Sequence, residues 1–397
     1  MRKLTQAIAI AALAAPVLGL AAPASAQYLI VGNDEKLVWD DAGKGVQKAP
    51  GNDTVMILDI ANRTKPRTVA TLKLENTVVG PPTNLAITPD EHLALVANSL
   101  DQVSDGKGGW KPQPDDKVYV IDLKASPPAQ VGTVEVGKQP SGMAINHTGD
   151  LALVANRAEN TVSVLSINGK EVKRIDTVAV APQGAPSEQV SAVAISPDGK
   201  LALVAKAASN KVALLKIDGQ KVTYDGYDMN VGVFPYNVST VPGGEIAIVN
   251  NNGGGGASDG GVDTVSIIDM KATPPRVIDY VVVGDGPEGL AVSPTGKLAV
   301  SVILNGVGNV PKAAFFHHEH SYLSLLRIDG RKVHKVGEAE VGALAEGVAF
   351  SPDGRYLYVG NYLDSDMTIF KVEGTKLVRA ATMKLPGHPA SLRSAVP

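Results

Sequence analysis

The sequence predicts an all-β protein, a seven-bladed β-propeller with four antiparallel strands in each blade. Three observations predict it: a hairpin phrase recurs along the chain, two more strand patterns follow each copy, and the C-terminal residues repeat a segment that the first copy lacks. Recurrence at a regular interval is typical of repeat architectures, and four-stranded sheets repeated around an axis form a propeller.

The recurring phrase is clearest at 193–203 and 290–300, where an alternating strand, a turn such as Ser196-Pro-Asp-Gly199 and a second alternating strand follow one another. Variants lie at 85–95, 143–153 and 348–358, and a weaker copy covers 238–248. Period-two alternation on both sides of such a turn predicts a β-hairpin. The second strands of these hairpins begin at Tyr28, Leu93, Leu151, Leu201, Glu245, Leu298 and Tyr356.

Two outer strands complete each repeat. A third strand follows every hairpin, as at 53–59 and 116–122, and a fourth follows a Gly or Pro-Pro turn, as at 67–74. Because the chain reaches the strand at Tyr28 without an inner strand before it, the first blade is one strand short. The segment 387–392 matches the inner-strand pattern of 286–290, so we expect the C-terminus to supply the missing strand and remove two open sheet edges.

The N-terminus has the three parts of a secretory signal peptide. Arg2 and Lys3 are positive, an Ala- and Leu-rich run covers 7–20, and Ala24-Ser-Ala26 forms a cleavage site. The run is short for a membrane-spanning helix, which needs about 20 strongly apolar residues. We therefore predict a bacterial signal peptide at 1–26, a propeller at 27–397, no transmembrane segment after cleavage, and a periplasmic or secreted location.

Composition excludes several classes of function. The formal charge is −3, and it becomes −5 without Arg2 and Lys3, so the chain lacks the clustered basic charge that nucleic-acid binding needs. The absence of cysteine excludes disulfides, thiolate catalysis and iron–sulfur clusters. We expect a monomer whose partner is a small molecule, an envelope component or a protein, and not nucleic acid.

The repeat resembles a known type. The pattern of 193–203, which continues into an Asn-Thr-Val-Ser-Val strand in the copy at 160–164, is similar to the YVTN-type propeller repeat and to lactonase-type propellers, including 6-phosphogluconolactonase and carboxymuconate cyclase relatives. The resemblance implies lactone chemistry. Where such relatives carry a His-x-His stretch, this chain reads Ala185-Pro-Ser-Glu-Gln-Val190, which leaves Glu188 as an acid or base.

The loops that join second to third strands differ in length between blades. Three blades have a turn of three residues, whereas the segments 34–52, 99–115, 251–262 and 304–320 are insertions. All four insertions lie on one rim, and insertions confined to one face of a repeat fold often build the binding surface. Tolerated surface drift is the alternative.

The inner strands begin on this same face, and their second residues should surround the channel mouth. These residues are Thr83, Ser141, Ser191, Tyr236, Glu288, Glu346 and Ala390. Two carboxylates at a narrow mouth are candidates for acid–base catalysis, so we predict catalytic roles for Glu288, Glu346 and Glu188, and ligand binding by Tyr236. A wet channel that tolerates polar residues is the simpler explanation.

Three further residues stand out as candidate ligand-binding groups. Lys206 breaks a series of Asn residues at the ends of second strands, which are Asn33, Asn98, Asn156, Asn250 and Asn361. Recurring Asn at this position is typical of turn capping. His388 lies in the loop before the closing strand, and Arg393 occupies a position that is Ala or Ser in the other six blades.

The stretch 315–320 reads Phe-Phe-His-His-Glu-His and is the richest source of metal ligands. Imidazole and carboxylate groups suit divalent zinc, copper or nickel. Alternate residues of an extended segment share a side, so His318 and His320 are the predicted pair, with His388, Asp34, Asp40 or Asp41 completing a site. A solvated loop cluster is the alternative, and the cofactor is otherwise unknown.

We formulate two functional hypotheses from these residues. The first is an exported binding propeller that holds a small ligand, envelope component or protein on its loop-rich face. The second is a lactonase-like hydrolase or isomerase that acts at the channel mouth, with or without a metal.

Overall fold

A computed structural model describes residues 27–395 of the chain, so the predicted signal peptide lies outside the described residues. Seven four-stranded antiparallel sheets form a ring, and the described part holds one short 3-10 helix, Ala207–Ser209. The predicted all-β, seven-bladed propeller is confirmed. Within the described residues, no helix has the length and apolar character that crossing a membrane requires.

Each blade is written from its inner to its outer strand. Blade one comprises Pro389–Ser394, Tyr28–Asn33, Thr54–Asp59 and Arg67–Leu72. Blade two comprises Leu85–Ile87, Leu93–Ser104, Trp110–Asp122 and Ala129–Glu135. Blade three comprises Pro140–Ile145, Leu151–Asn156, Thr161–Asn168 and Glu171–Ala179. Blade four comprises Val190–Ile195, Leu201–Lys206, Lys211–Asp218 and Lys221–Asn230.

The remaining blades follow the same order. Blade five comprises Pro235–Thr240, Ile246–Asn251, Asp263–Asp269 and Arg276–Gly284. Blade six comprises Pro287–Val292, Leu298–Ile303, Tyr322–Asp329 and Lys332–Glu340. Blade seven comprises Ala345–Phe350, Tyr356–Asn361, Asp366–Glu373 and Lys376–Lys384. A small additional hairpin, Leu37–Trp39 with Gly45–Gln47, lies in the blade-one insertion.

The C-terminal strand closes the ring as predicted. It pairs antiparallel with the first strand, and Val31 lies opposite Leu392 while Leu29 lies opposite Ser394. The partners of this pair are far apart in sequence, so closure ties the two ends of the described chain into one sheet. An open edge at either strand would expose unpaired backbone groups.

The core lies between neighbouring blades. Strand alternation places one apolar row on each face of a sheet, and each row packs against the facing row of the next blade. Leu153 of blade three and Leu215 of blade four share one buried cluster. Leu29 of blade one shares another with Tyr358 of blade seven. Blade-to-blade packing therefore holds the ring without disulfides.

One predicted register was wrong by a residue. The second strand of blade five begins at Ile246, not Glu245, and Asn251, not Asn250, pairs with the first residue of the inner strand. Asn251 donates to Thr264 and Ser266, just as Asn156 donates to Thr161 and Ser163. Both Asn side chains therefore tie the second strand to the third, which is a structural role.

Candidate active site

Three chemically active side chains enter the channel mouth from consecutive blades. Tyr236, Glu288 and Glu346 are the second residues of the inner strands of blades five, six and seven. Each is only 4% exposed. Because the inner strands all begin at the same end of the ring, equivalent positions converge there, and the sequence prediction of a common location holds for these residues.

Burial controls the protonation of the two carboxyl groups. Desolvation raises the pKa of Glu288 to about 8, although the nearby positive charge of Arg157 opposes this effect. The pKa of Glu346 is also raised, first by burial and then by the negative charge of Glu288. Two carboxyl groups that repel each other in a poorly solvated site tend to hold one shared proton. The pair therefore offers one acid and one base.

Arg157 crosses the mouth from blade three. Its guanidinium carbon lies 5.5 Å from the centre of the Tyr236 ring, and its Nη2 donates to Gln189 over 2.9 Å. Burial and the negative charge of Glu288 raise the pKa of Tyr236, so the phenol stays protonated as a donor. Asn252 lies within 3.5 Å of Glu288 Oε1. The mouth thus combines the acid pair with a cation and neutral donors.

Several polar atoms at this mouth use none of their hydrogen-bonding capacity within the described chain. They are Thr83 Oγ1, Ser141 Oγ, Arg157 Nη1 and Glu346 Oε2, and all are buried. Buried polar atoms in native proteins are normally paired with protein, water or ligand. Their concentration around one end of the channel indicates a site for a small molecule rich in hydroxyl or carbonyl groups.

The insertions pack together into a cap over part of this mouth. Lys312 of the blade-six insertion donates its backbone N–H to Asp41 of blade one over 3.0 Å, and Asn309 donates to Gly256 of blade five over 2.7 Å. The Gln102 side chain of blade two bonds Gln47 of blade one. The four insertions are thus joined to one another, and they leave the short turns of blades three and four outside the cap.

The cap has an apolar centre that connects it to the mouth. Leu37, Leu304, Val307, Leu344 and Tyr362 form one buried cluster. The Tyr362 hydroxyl donates to the Leu37 carbonyl over 2.6 Å. Because the insertions of blades one and six bury apolar side chains, we expect their removal to destabilise the protein, unlike the removal of solvated loops.

Glu188 and Lys206 pair with each other at blade four. Lys206 is 3% exposed, and its Nζ lies 2.9 Å from Asp228 Oδ2 and 3.3 Å from Glu188 Oε1. Tyr224 donates its hydroxyl to Asp228 over 2.7 Å. These contacts use the Lys206 charge inside blade four. The predicted roles of Glu188 in catalysis and of Lys206 in ligand binding thus have a competing structural explanation.

His388 is part of the junction between blades one and seven. Its ring stacks on Tyr362 with centroids 5.0 Å apart, and its Nδ1 lies 2.7 Å from the Tyr362 carbonyl oxygen. The backbone N–H donates to Glu35 over 2.9 Å. His388 therefore supports Tyr362, which in turn anchors the cap.

The predicted metal pair lies on the surface of the cap. His318 and His320 are exposed, and His318 Nδ1 is 3.0 Å from the carbonyl oxygens of Asn305 and Phe316. Among residues 27–395, no group of three or more His, Asp or Glu side chains is arranged to hold a metal ion. The metal site stays a prediction.

Arg393 is at the other end of the channel. It lies three residues along the closing strand from Ala390, which is the blade-one counterpart of Glu288. At about 3.3 Å per residue, this places it roughly 10 Å deeper along the channel. Arg393 is therefore not part of the carboxyl-pair site, and it lines a cavity that reaches along the channel as far as Thr83 but includes neither Glu288 nor Glu346.

Sequence reasoning missed Arg157 and Asn252. Both follow the residue that ends the second strand, a position occupied in blade four by Ala207. Comparing this position across blades would have singled out Arg157 as a charge at the mouth. Identifying Asn252 from the sequence required the correct register of blade five, because the one-residue error hid the equivalence of Asn252 to Arg157.

Comparisons with known proteins agree with this fold. Residues 114–258 match the model of a family described as "Lactonase, 7-bladed beta-propeller". No curated protein matches the sequence.

Solved structures of low sequence identity share the whole architecture. A candidate 6-phosphogluconolactonase from Bacteroides uniformis is 14% identical, with a TM-score of 0.70, over 93% of this chain and 99% of that one. The periplasmic gluconolactonase of Pseudomonas aeruginosa is 18% identical, with a TM-score of 0.67, over 94% and 100%. The hydrazine synthase of Kuenenia stuttgartiensis is 19% identical, with a TM-score of 0.59, over 82% and 95%.

These likenesses establish fold, and the hydrazine synthase illustrates that this fold serves different chemistry. The resemblance inferred from the repeats is confirmed: the chain is a seven-bladed β-propeller that matches the lactonase seven-bladed β-propeller family over residues 114–258.

Proposed function

We propose that this protein hydrolyses a sugar lactone at the channel mouth. The observation that carries the proposal is the buried pair Glu288 and Glu346 beside the cation Arg157. The raised pKa values of the pair let one carboxyl stay protonated as an acid while Glu288 ionises to a base in mildly alkaline solution. Paired carboxyls with separated protonation states are a common solution for acid–base catalysis. The family match favours this hypothesis over the binding propeller that carries out no reaction.

The protein must supply a general base, groups that stabilise the developing negative charge, and a general acid. Glu288, whose ionised form the charge of Arg157 favours, takes a proton from water as the water oxygen bonds to the lactone carbonyl carbon. Arg157 and the Tyr236 hydroxyl stabilise the negative charge that develops on the carbonyl oxygen. Glu346 then donates its proton to the ring oxygen as the ring carbon–oxygen bond breaks.

The products balance the reactants. Water adds across the ester bond to give a hydroxy acid, which ionises to a carboxylate and releases one proton to solvent. Proton transfer from Glu288 to Glu346 restores the starting state. No redox step or external reactant other than water is involved.

A sugar lactone suits the mouth because of the polar atoms that the fold leaves unpaired. Thr83, Ser141 and Arg157 have capacity for hydroxyl groups on a small ring, and the cap reduces the access of bulk water. The names of the related structures point to gluconolactones as first substrates to test.

The direct experiment measures hydrolysis of glucono-1,5-lactone by acid release at constant pH, with spontaneous hydrolysis subtracted. We expect Glu288→Gln and Glu346→Gln each to lower kcat/KM by about 10²-fold or more, the usual contribution of a positioned acid or base. Glu188→Gln is the matched control, since that carboxylate pairs with Lys206, and its activity should stay within about threefold of the parent.

Two outcomes contradict the proposal. If Glu288→Gln and Glu346→Gln both hydrolyse the lactone like the parent, the carboxyl pair is not the catalytic site. If the parent binds gluconolactone at the mouth without turning it over, the binding propeller is the better description.

Export to the periplasm is part of the proposal. It is supported by the signal-peptide pattern at 1–26 and by the periplasmic location named for one related structure. Recovery of protein that begins at Gln27 from the periplasmic fraction is the expected result. Full-length protein confined to the cytoplasm would contradict it.

A further inference from the structure

A second cavity opens at the end of the channel opposite the cap. Its volume is about 330 Å³, and the turns between inner and second strands surround it. Pro89, Asn146, Ser196 and Pro242 belong to these turns. At roughly 30 Å³ per water molecule, the cavity has room for a small organic molecule of several heavy atoms.

Among the described residues that line this cavity, Arg393 carries the only permanent charge, and His147 contributes an imidazole ring. Its Nε donates to the Leu85 carbonyl over 3.0 Å. The two terminal nitrogens have no hydrogen-bond partner within residues 27–395, and no carboxylate there lies within ion-pair distance of the guanidinium. The bond to Leu85 fixes the guanidinium and leaves its outer edge free.

The rest of the lining explains why a charge at this position is unusual. The equivalent residues of the other blades are small, and Ala86, Ala144, Ala194 and Ser239 all line the cavity. These four small residues leave space, and the equivalent position of blade one places a cation beside it. A structural linker to Leu85 requires one nitrogen, whereas the guanidinium presents two more donors to the cavity.

The chemistry of the walls selects the type of ligand. A guanidinium edge with two parallel N–H donors matches a carboxylate, which it binds in a bidentate manner. Met143, Val193 and Leu290 provide apolar surface beside it, while Asn146, Ser196 and Thr240 supply polar groups nearer the opening. A carboxylate with a short aliphatic body satisfies both parts of the cavity.

We propose that this cavity binds a small organic carboxylate, with Arg393 pairing the carboxylate and the aliphatic walls holding the body. Neither Glu288 nor Glu346 lines this cavity, and carboxylate binding at its Arg393 end does not depend on the proposed lactone hydrolysis. It faces the surface opposite the cap, so a ligand can enter it without passing the channel mouth.

The test measures butyrate binding to the full-length protein by titration calorimetry, with butyramide as the neutral isostere and inorganic phosphate as a second oxyanion. We expect saturable binding of butyrate and at least tenfold weaker binding of butyramide. Arg393→Gln should lose at least tenfold in butyrate affinity. Arg393→Lys, which keeps the charge and loses the fork geometry, should be intermediate.

Two further variants separate a binding role from a structural one. Ser239→Leu fills the cavity and keeps Arg393, so it should also weaken butyrate binding at least tenfold. Arg157→Gln, at the other end of the channel, should bind butyrate like the parent. Melting with and without butyrate shows whether each variant is folded, because a bound ligand raises the melting temperature.

The proposal is overturned if the parent fails to bind butyrate, or if butyramide binds as well. It is equally overturned if Arg393→Gln melts lower but binds butyrate normally, because the guanidinium would then be only a link to Leu85. Binding of phosphate without butyrate would contradict the role of the aliphatic walls.

Discussion

Replacing Glu288 by Gln should stabilise the protein at pH 8 and leave its stability at pH 4.5 nearly unchanged. The carboxyl is 4% exposed, and burial raises its pKa from 4.5 to about 8. Between these two pH values the unfolded chain ionises Glu288 while the folded chain keeps it protonated. The free energy of unfolding therefore falls as pH rises through this window.

The magnitude follows from the two pKa values. Each pH unit in the window costs about 1.4 kcal/mol, so the whole interval from 4.5 to about 8 costs at most roughly 5 kcal/mol. The neutral Gln side chain does not have this penalty. This interval is an upper limit, because Glu288 is about half ionised at pH 8 and Gln removes that charge from beside Arg157, and we expect a net stabilisation of about 3 kcal/mol at pH 8.

Thermal melting at pH 5 and pH 8 measures the effect. With an unfolding entropy of about 2.1 cal/mol/K per residue, roughly 370 residues gain about 1.3 °C per kcal/mol, so the variant should melt about 4 °C above the parent at pH 8. Glu159→Gln removes an exposed carboxylate from a turn of blade three and should show no such pH-dependent difference. If Glu288→Gln destabilises the protein equally at both pH values, the carboxyl is not a desolvated group and the acid–base assignment loses its basis.

Four other changes test the architecture and the site. Arg157→Gln should shift the rise of kcat/KM with pH to higher pH, because removing the cation raises the pKa of Glu288 further. An unchanged pH profile would contradict an effect of the Arg157 charge on the catalytic carboxyl. Deleting 386–397 should lower the melting temperature of the whole ring, because the closing strand buries Ala390 and Leu392, and cooperative melting at the parent temperature would contradict closure. Shortening the blade-six insertion should destabilise the protein because Leu304 and Val307 are buried, whereas shortening the exposed turn at 105–108 of blade two should have little effect on the melting curve. If His318 and His320 hold a divalent metal, their joint replacement by Ala should abolish it, and equal metal content in parent and variant would exclude this pair.

The repeats in the sequence were sufficient to predict the blades and their closure. Strand alternation and turn chemistry are local properties, and seven copies of one pattern correct the errors of any single copy. The exception is instructive: the weakest copy, at 238–248, gave the register that was wrong by one residue. The convergence of Tyr236, Glu288 and Glu346 was also predictable, because equivalent positions of a radial repeat meet at one end of the axis.

Tertiary structure alone decided which charged groups act together. Glu188 was a plausible partner for Glu288 in sequence, yet it faces Lys206, while Arg157 of blade three reaches across to the mouth. The packing of the insertions into a cap was equally hidden, because these segments are not part of the repeat and have no shared pattern. Side-chain partners across a ring are distant in sequence, and burial fixes their pKa values only after the blades have closed around them.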